Sequence, residues 1–225
     1  MAKTNTESGL PRGEIKFAFQ LDNEQKEAKK SIIENLVTVI TGRAGTGKSS
    51  LLAQAALDLN FKHGFKKIWL TRPTVELGKT LGLLPGSLEE KIDPYVEAFK
   101  DSLRRVYNHP EKIDKMLESC IIENFPIQFA IGKNIHKDTV LIVDESQLTT
   151  EFEMEELLTR LNEGSKCIIV GDTRQKEKKD YHKGLEFVLK LSHHMDDIKH
   201  VHLTQNHRHG FVGKLLDHLY GKENS

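Results

Sequence analysis

Cysteine is scarce in this chain, and what there is does not pair. Cys120 and Cys167 stand far apart among 225 residues. Neither a disulfide framework nor a spaced zinc-binding set can be built from them, which suits a reducing compartment. Excess charge is also absent, since 33 basic residues meet 33 acidic ones for a net charge of +0. That excludes a surface coated with basic charge for nucleic acid, although a neutral average is compatible with a local basic groove. No apolar run is long enough to span a bilayer, and MAKTNTESGLPRGEIK at the N-terminus lacks a signal-peptide core. The expectation is a soluble cytoplasmic protein without membrane attachment. Repeats and low-complexity tracts are missing too. The remaining composition, 37% hydrophobic and 29% charged, is that of a globular chain long enough for one α/β core with a small insertion.

One stretch organises the rest. Val37-Thr38-Val39-Ile40 reads as a buried strand, Gly42-Arg43-Ala44-Gly45-Thr46-Gly47-Lys48-Ser49 as a glycine-rich turn, and Ser50 to Leu57 as the start of a helix. This is a complete G-x-x-x-x-G-K-[ST] in the strand-to-helix setting it requires. Glycines let consecutive backbone N–H groups converge on phosphate oxygens, and the helix N-terminus adds positive potential there. The pattern assigns Lys48 to the β- and γ-phosphates and the Ser49 hydroxyl to Mg²⁺.

Around it, strands and helices alternate. A helix from Leu21 to about Asn35, capped by Asp22 or Asn23, precedes the first strand, and the helix after the loop stops at Gly64. Further strands are expected at 67–71, 127–130, 139–144, 166–170 and 200–203, with helices at 87–107, 111–118, 151–161, 181–191 and 211–220. Such alternation predicts a doubly wound, mainly parallel α/β sheet with helices on both faces. Residues 1–20 form an N-terminal arm, residues 21–225 one domain, and residues from about 77 to 130 an insertion within it. Functional side chains should gather at the carboxyl ends of the strands.

Three of those ends carry chemistry. Asp144-Glu145 supplies a carboxylate for Mg²⁺ and a second one able to take a proton from attacking water. Asp172 and Gln175 follow the next strand, and they would lie beside Asp144 if the two strands flanked the phosphate-loop strand. A glutamine there can sense the γ-phosphate. Arg208, after the last strand, is the candidate to neutralise γ-phosphate charge. Nearby histidines His200, His202, His207 and His209 lack carboxylate or cysteine partners at metal-site spacing.

Gln25 within LDNEQKEA, then GRAGTGKS, DESQ, GDTRQ and QNHR, stand in the order shown by superfamily 1 helicases. More narrowly, TRPTVELGKTLGLLPGSLEEKIDPY followed by VDESQLTT and GDTRQ resembles the PhoH-like ATPases, whose core is a single RecA-like domain. The resemblance spans about Leu21 to Arg208. It implies that Gln25 reads the adenine edge and that residues Gly42 to Ser49, with Ser50, hold the triphosphate. It further implies that Asp144 and Glu145 handle metal and water, and that Gln147 and Gln175 couple the γ-phosphate to motion. Arg72 and Thr74 match a motif that meets nucleic acid in related helicases. Ser146 replaces the usual alanine, and His207 stands where helicases usually carry tyrosine.

A superfamily 1 helicase places ATP between two RecA-like lobes, and these residues account for one. The expectation is that a neighbouring subunit completes the site in a ring, most naturally a hexamer, with Arg104, Arg105, Arg160 or Arg174 available as the finger. The leading reading is Mg²⁺-dependent ATP hydrolysis coupled to translocation on, or remodelling of, single-stranded RNA or DNA. Insertion cations such as Lys100, Arg104 and Lys112 either touch phosphates or form a solvated face, because acids are interspersed among them. The alternatives are an ATP-switched scaffold with little turnover, which Glu145 argues against, and a small-molecule kinase, which Gln147 and Gln175 argue against.

Overall fold

The structure is a computed structural model that describes residues 15–73, 88–174 and 183–207, with Gly210, Phe211, Lys214 and His218; over 88–96 it describes the backbone. Its strands are β1 (Val37–Gly42), β2 (Lys67–Arg72), β3 (Ile122–Pro126), β4 (Thr139–Val143), β5 (Lys166–Gly171) and β6 (Ile198–Leu203). They form one sheet in the order β3-β2-β4-β5-β1-β6, and every pairing is parallel.

Parallel strands covered on both faces bury both alternating sets of side chains. Ile40, Ile142, Ile168 and Val170 point to one core, whereas Val39, Leu141, Val143 and Ile169 point to the other. The first core is covered by α1 (Asn23–Glu34), α2 (Lys48–His63), α3 (Leu88–Val106) and α4 (Pro110–Glu118). The second is covered by α5 (Ile127–Ile131), α6 (Glu151–Thr159) and α7 (Gly184–Ser192). The doubly wound architecture is as expected, and the sheet is wholly parallel.

α2 is apolar nearly all round, as a helix enclosed by other elements must be. Leu51 through Leu59 are all buried. The two polar residues among them have partners: Gln54 donates to the Phe19 carbonyl at 3.0 Å, and Asp58 forms ion pairs with Lys62 at 3.0 Å and with Lys29. α3 packs against α2 through Phe99, Leu103 and Val106. The insertion therefore adds to the main core and contributes an edge strand, β3.

One expectation fails here, and one condition is not met. The strand expected at 127–130 lies at Ile122–Pro126, and 127–131 is the short helix α5. Glu123 and Asn124 hid the strand, because they interrupt its apolar run. At the sheet edge that polarity is tolerated, and Glu123 accepts from Lys67 at 3.0 Å and Trp69 at 3.2 Å. The strand carrying Asp144 also does not flank the phosphate-loop strand. β1 sits between β5 and β6, so β5 separates it from β4.

β4 ends in a short 3₁₀ turn, Ser146–Leu148, pressed against β5. The fit is close: a Cβ on Gly171 would sit 2.6 Å from Ser146 Oγ. That hydroxyl is buried and finds no partner among the described residues. An unpaired buried hydroxyl costs free energy that a methyl group does not. Ser146→Ala should therefore raise the unfolding free energy by about 1 kcal/mol. Urea midpoints at unchanged slope will measure this, and a loss of stability would show that the hydroxyl is satisfied.

Candidate active site

The carboxyl edge of the sheet presents its functional groups in strand order. Arg72 ends β2, Asp144 and Glu145 follow β4, Asp172 follows β5, the phosphate loop follows β1 and Thr204 to His207 follow β6. With one face of α3 they enclose a cleft of about 470 Å³. Of the predicted residues, Ala44, Gly45, Gly47, Lys48, Ser49, Ser50, Arg72, Asp144, Glu145 and Asp172 line this one cleft. Thr74, Gln175 and Arg208 lie outside the described residues.

The loop leaves β1 at Gly42 and passes through left-handed backbone at Gly45 (φ 100°) and Gly47 (φ 76°). Thr46 turns it by donating from its N–H and its hydroxyl to the Arg43 carbonyl, at 3.2 and 3.0 Å. Arg43 is buried. Gly47 is the N-cap of α2 and brings no side chain to the helix end, so the first-turn amides keep their positive potential. A Cβ at Gly47 would also collide with Gln25 Nε2. Lys48 Nζ donates to the Gly42 and Arg43 carbonyls at 2.5 and 2.9 Å, which sets its ammonium along the loop.

Gln25 is 5% exposed, and its amide braces the loop. Nε2 donates to the Thr46 carbonyl at 3.1 Å, and Oε1 accepts from Asp22 N–H at 3.2 Å. Asp22 and Gln25 form a reciprocal capping box at the start of α1. An adenine contact by Gln25 would use its second N–H or the second lone pair of Oε1.

The acidic pair is held in detail. Glu145 has φ 52° and ψ 41°, a left-handed conformation costing about 1–2 kcal/mol for a residue with a side chain. Its N–H donates to Asp144 Oδ1 at 2.9 Å. Arg72 Nη2 donates to Glu145 Oε1 at 2.6 Å, and Gln147 Nε2 donates to Oε2 at 2.6 Å. Gln147 Oε1 accepts from Asp172 N–H at 3.1 Å, so this glutamine ties the end of β4 to the end of β5. Asp172 accepts from Ala44 N–H at 3.2 Å and thereby reaches the phosphate loop.

Three features escaped the sequence. His207 Nε2 lies 2.6 Å from Asp22 Oδ2, and its backbone N–H donates to the Gly45 carbonyl at 2.9 Å. Glu24 accepts from Thr204 N–H at 2.7 Å and Gln205 N–H at 3.1 Å, and hydrogen bonds from Thr204 hold its carboxyl below the ordinary range. Ala98, Phe99, Ser102 and Arg105 of α3 form a wall of the cleft. Acids at the first turn of α1 were a visible signal for the first two. The sequence offered Arg105 only as a finger for a neighbouring subunit, and nothing in α3 announced a wall of its own cleft.

Ser49 and Asp144 fit Mg²⁺ as hard oxygen donors on one cleft. Enclosure by protein pushes the Asp144 carboxyl above the usual range; Arg72 opposes the shift and Glu145 adds to it. A divalent cation would relieve that burden. Among the described residues no helix is long and apolar enough to cross a membrane.

A glycine-rich phosphate loop at the edge of a parallel sheet, facing an acidic pair two strands away, defines a P-loop α/β fold. The chain belongs to the PhoH-like protein family, whose model matches residues 20–220. It is 35% identical to the PhoH-like protein of Synechocystis sp. over 217 residues, covering 95% of this chain and 65% of that protein. Identity to the PhoH-like protein of Bacillus subtilis is 37% over 203 residues, or 89% of this chain and 63% of that protein. The chain thus spans under two thirds of the length of these relatives. Among solved structures, the large terminase of a thermophilic bacteriophage aligns with a TM-score of 0.53 and 13% identity, over 90% of this chain and 51% of that one. The Pif1 helicase of Candida albicans aligns with a TM-score of 0.46 and 19% identity, over 89% and 43% respectively.

The direction of the Asp144 shift fixes a pH dependence. The folded protein holds this proton more tightly than an unfolded chain does. The group's contribution to stability is complete below the ordinary carboxylate range and is lost as pH rises through the raised value. Without nucleotide or metal, Asp144→Asn should melt higher than the parent chain near neutral pH. The gap should narrow toward about pH 4. Thermal unfolding across that range checks it, and an asparagine variant that melts lower at neutral pH would contradict the upward shift.

Proposed function

We propose that this protein hydrolyses ATP with Mg²⁺ and couples hydrolysis to movement on, or remodelling of, single-stranded RNA or DNA. Glu145 carries this assignment. Its carboxylate is aimed by Arg72 and Gln147 into the cleft lined by Lys48 and Ser49, where a base for attacking water is needed. A switch without turnover has no use for a strained, doubly braced base. Bound Mg²⁺ supplies charge neutralisation of the triphosphate, with Ser49 and Asp144 as its protein ligands.

Position and family membership support each remaining role. Residues Gly42 to Ser50 cradle phosphates, with Lys48 on the β- and γ-oxygens. Gln25 fixes the loop and offers its free N–H to adenine. Gln147 and Asp172 link the base to the loop, and Gln175 and Arg208 sense and neutralise the γ-phosphate. Arg72 and Thr74 are assigned to a nucleic-acid-responsive segment; the Arg72–Glu145 ion pair gives such a segment a direct line to the base. We take residues 21–225 as one RecA-like ATPase domain with an insertion at 77–130 and an N-terminal arm at 1–20. Assembly as a hexameric ring with sites between subunits, in a reducing cytoplasm, completes the reading.

ATP turnover measured with and without single-stranded RNA and DNA tests the core of this. Lys48→Ala should lose nucleotide binding, and Glu145→Gln should keep binding while kcat falls by about 10²–10⁴. Equal hydrolysis by Glu145→Gln and the parent chain removes the base. An unchanged rate with either strand removes the coupling and favours the scaffold. Light scattering with and without ATP tests the ring, which a monomer in both states would exclude.

A further inference from the structure

We propose that Arg105, on the inserted helix α3, binds the terminal phosphate of the nucleoside triphosphate held by its own subunit. This rests on the hydrolytic reading above and adds to it a phosphate ligand from outside the loop and the strand ends. α3 presents two stripes. Phe99, Leu103 and Val106 are 6%, 0% and 0% exposed and anchor the helix in the main core. Ala98, Ser102 and Arg105, at the same spacing one residue earlier, line the cleft. The buried stripe therefore fixes where the second stripe stands.

The residues of that second stripe differ in reach. Ala98 and Ser102 are short, and the Ser102 hydroxyl is turned back to the Ala98 carbonyl at 2.9 Å. Arg105 alone of the three is long and cationic. It is exposed, and it makes no hydrogen bond or ion pair with any described residue. Its neighbour shows the contrast: Arg104 is committed to Glu97 at 2.7 Å and Asp114 at 2.9 Å. The acids lining the cleft leave Arg105 unused as well, since Glu145 is held by Arg72 and Gln147, Asp144 by the Glu145 amide and Arg72, and Asp172 by the Ala44 and Arg174 amides.

Direction along the cleft selects the terminal phosphate. Loop amides at the start of α2 mark one end of the phosphate chain, and His207 lies beyond it on the β6 side. Asp144 and Glu145, two strands away from β1, mark where metal and attacking water belong. Arg72 on β2 lies one strand further still, the same side to which α3 is packed through its contacts with β3. A guanidinium at that end meets the charge that distinguishes a triphosphate from a diphosphate.

The test compares Arg105→Ala and Arg105→Lys with the parent chain, without nucleic acid. Affinities for ADP and for a non-hydrolysable ATP analogue are measured beside kcat, KM and thermal unfolding. Expected for Arg105→Ala are unchanged melting, unchanged ADP affinity, weaker analogue binding and kcat reduced by about ten-fold or more. Arg105→Lys should restore part of the loss. A one-to-one mixture of Arg105→Ala with Lys48→Ala should stay as slow as its parts, because the arginine serves its own subunit. Recovery of activity in that mixture would move the arginine to a neighbour's site and overturn the proposal. Parent-level analogue binding by Arg105→Ala would overturn it too. If the parent chain binds triphosphate without hydrolysing it, the hydrolytic reading fails, and the analogue-to-ADP ratio still decides Arg105.

Discussion

The backbone from Gly42 to Ser49 has to leave a buried strand, reverse through left-handed glycines and enter a buried helix with its first amides facing outward. No regular structure holds such a segment, so its polar groups must be satisfied from elsewhere. Asp172 takes the Ala44 amide, Gln25 gives to the Thr46 carbonyl, and the His207 amide gives to the Gly45 carbonyl. These braces come from β5, from α1 and from the segment after β6. The loop is thus a junction where separate parts of the fold meet. Asp22 shows how closely that is drawn, since Oδ1 caps α1 while Oδ2 meets His207. Stability of the first helix and placement of the last strand's exit share one carboxylate.

A second set of interactions runs parallel to the first and works against stability. Glu145 sits in strained backbone, the surroundings of Asp144 raise its carboxyl above the ordinary range, and Ser146 has an unpaired hydroxyl. Three consecutive residues carry costs that a merely structural turn would avoid. They are tolerated because Arg72, Gln147 and the backbone of Asp172 hold the turn against β5, where Gly171 allows close approach. Strain maintained by surrounding structure at a carboxylate is characteristic of sites that do chemistry. Gln147 also makes the two sets one, through Asp172, which contacts it by its N–H and the loop by its carboxylate.

Much of this was legible in the residues. β1, β2, β4, β5 and α2 are announced by apolar runs, by Gly64 and by the glycine-rich turn, because burial on both sheet faces leaves continuous hydrophobic strands. Lys48, Ser49, Asp144 and Glu145 were found by pattern and lie on one cleft. What sequence could not supply is order in the sheet. β5 intervenes between β1 and β4, and that permutation puts Asp172 where it bridges loop and base. β3 was hidden by Glu123 and Asn124, since edge strands need no apolar run. The left-handed backbone of Glu145 has no sequence mark, and the Gln25 brace is visible only once α1 is seen beside the loop.

The insertion changes most between sequence and structure. As a list it is a mixed run of acids and bases, equally suited to binding phosphate and to facing solvent. Folded, it sorts its charges. Arg104 is absorbed by Glu97, Asp101 and Asp114, and Lys100 pairs with Glu97 at 3.4 Å. Because α3 is anchored by Phe99, Leu103 and Val106, its other face is held against the cleft with the rigidity of the core itself. An element absent from the minimal strand-and-helix alternation thereby becomes a fixed wall of the phosphate site, and a change in that wall is a change in the site.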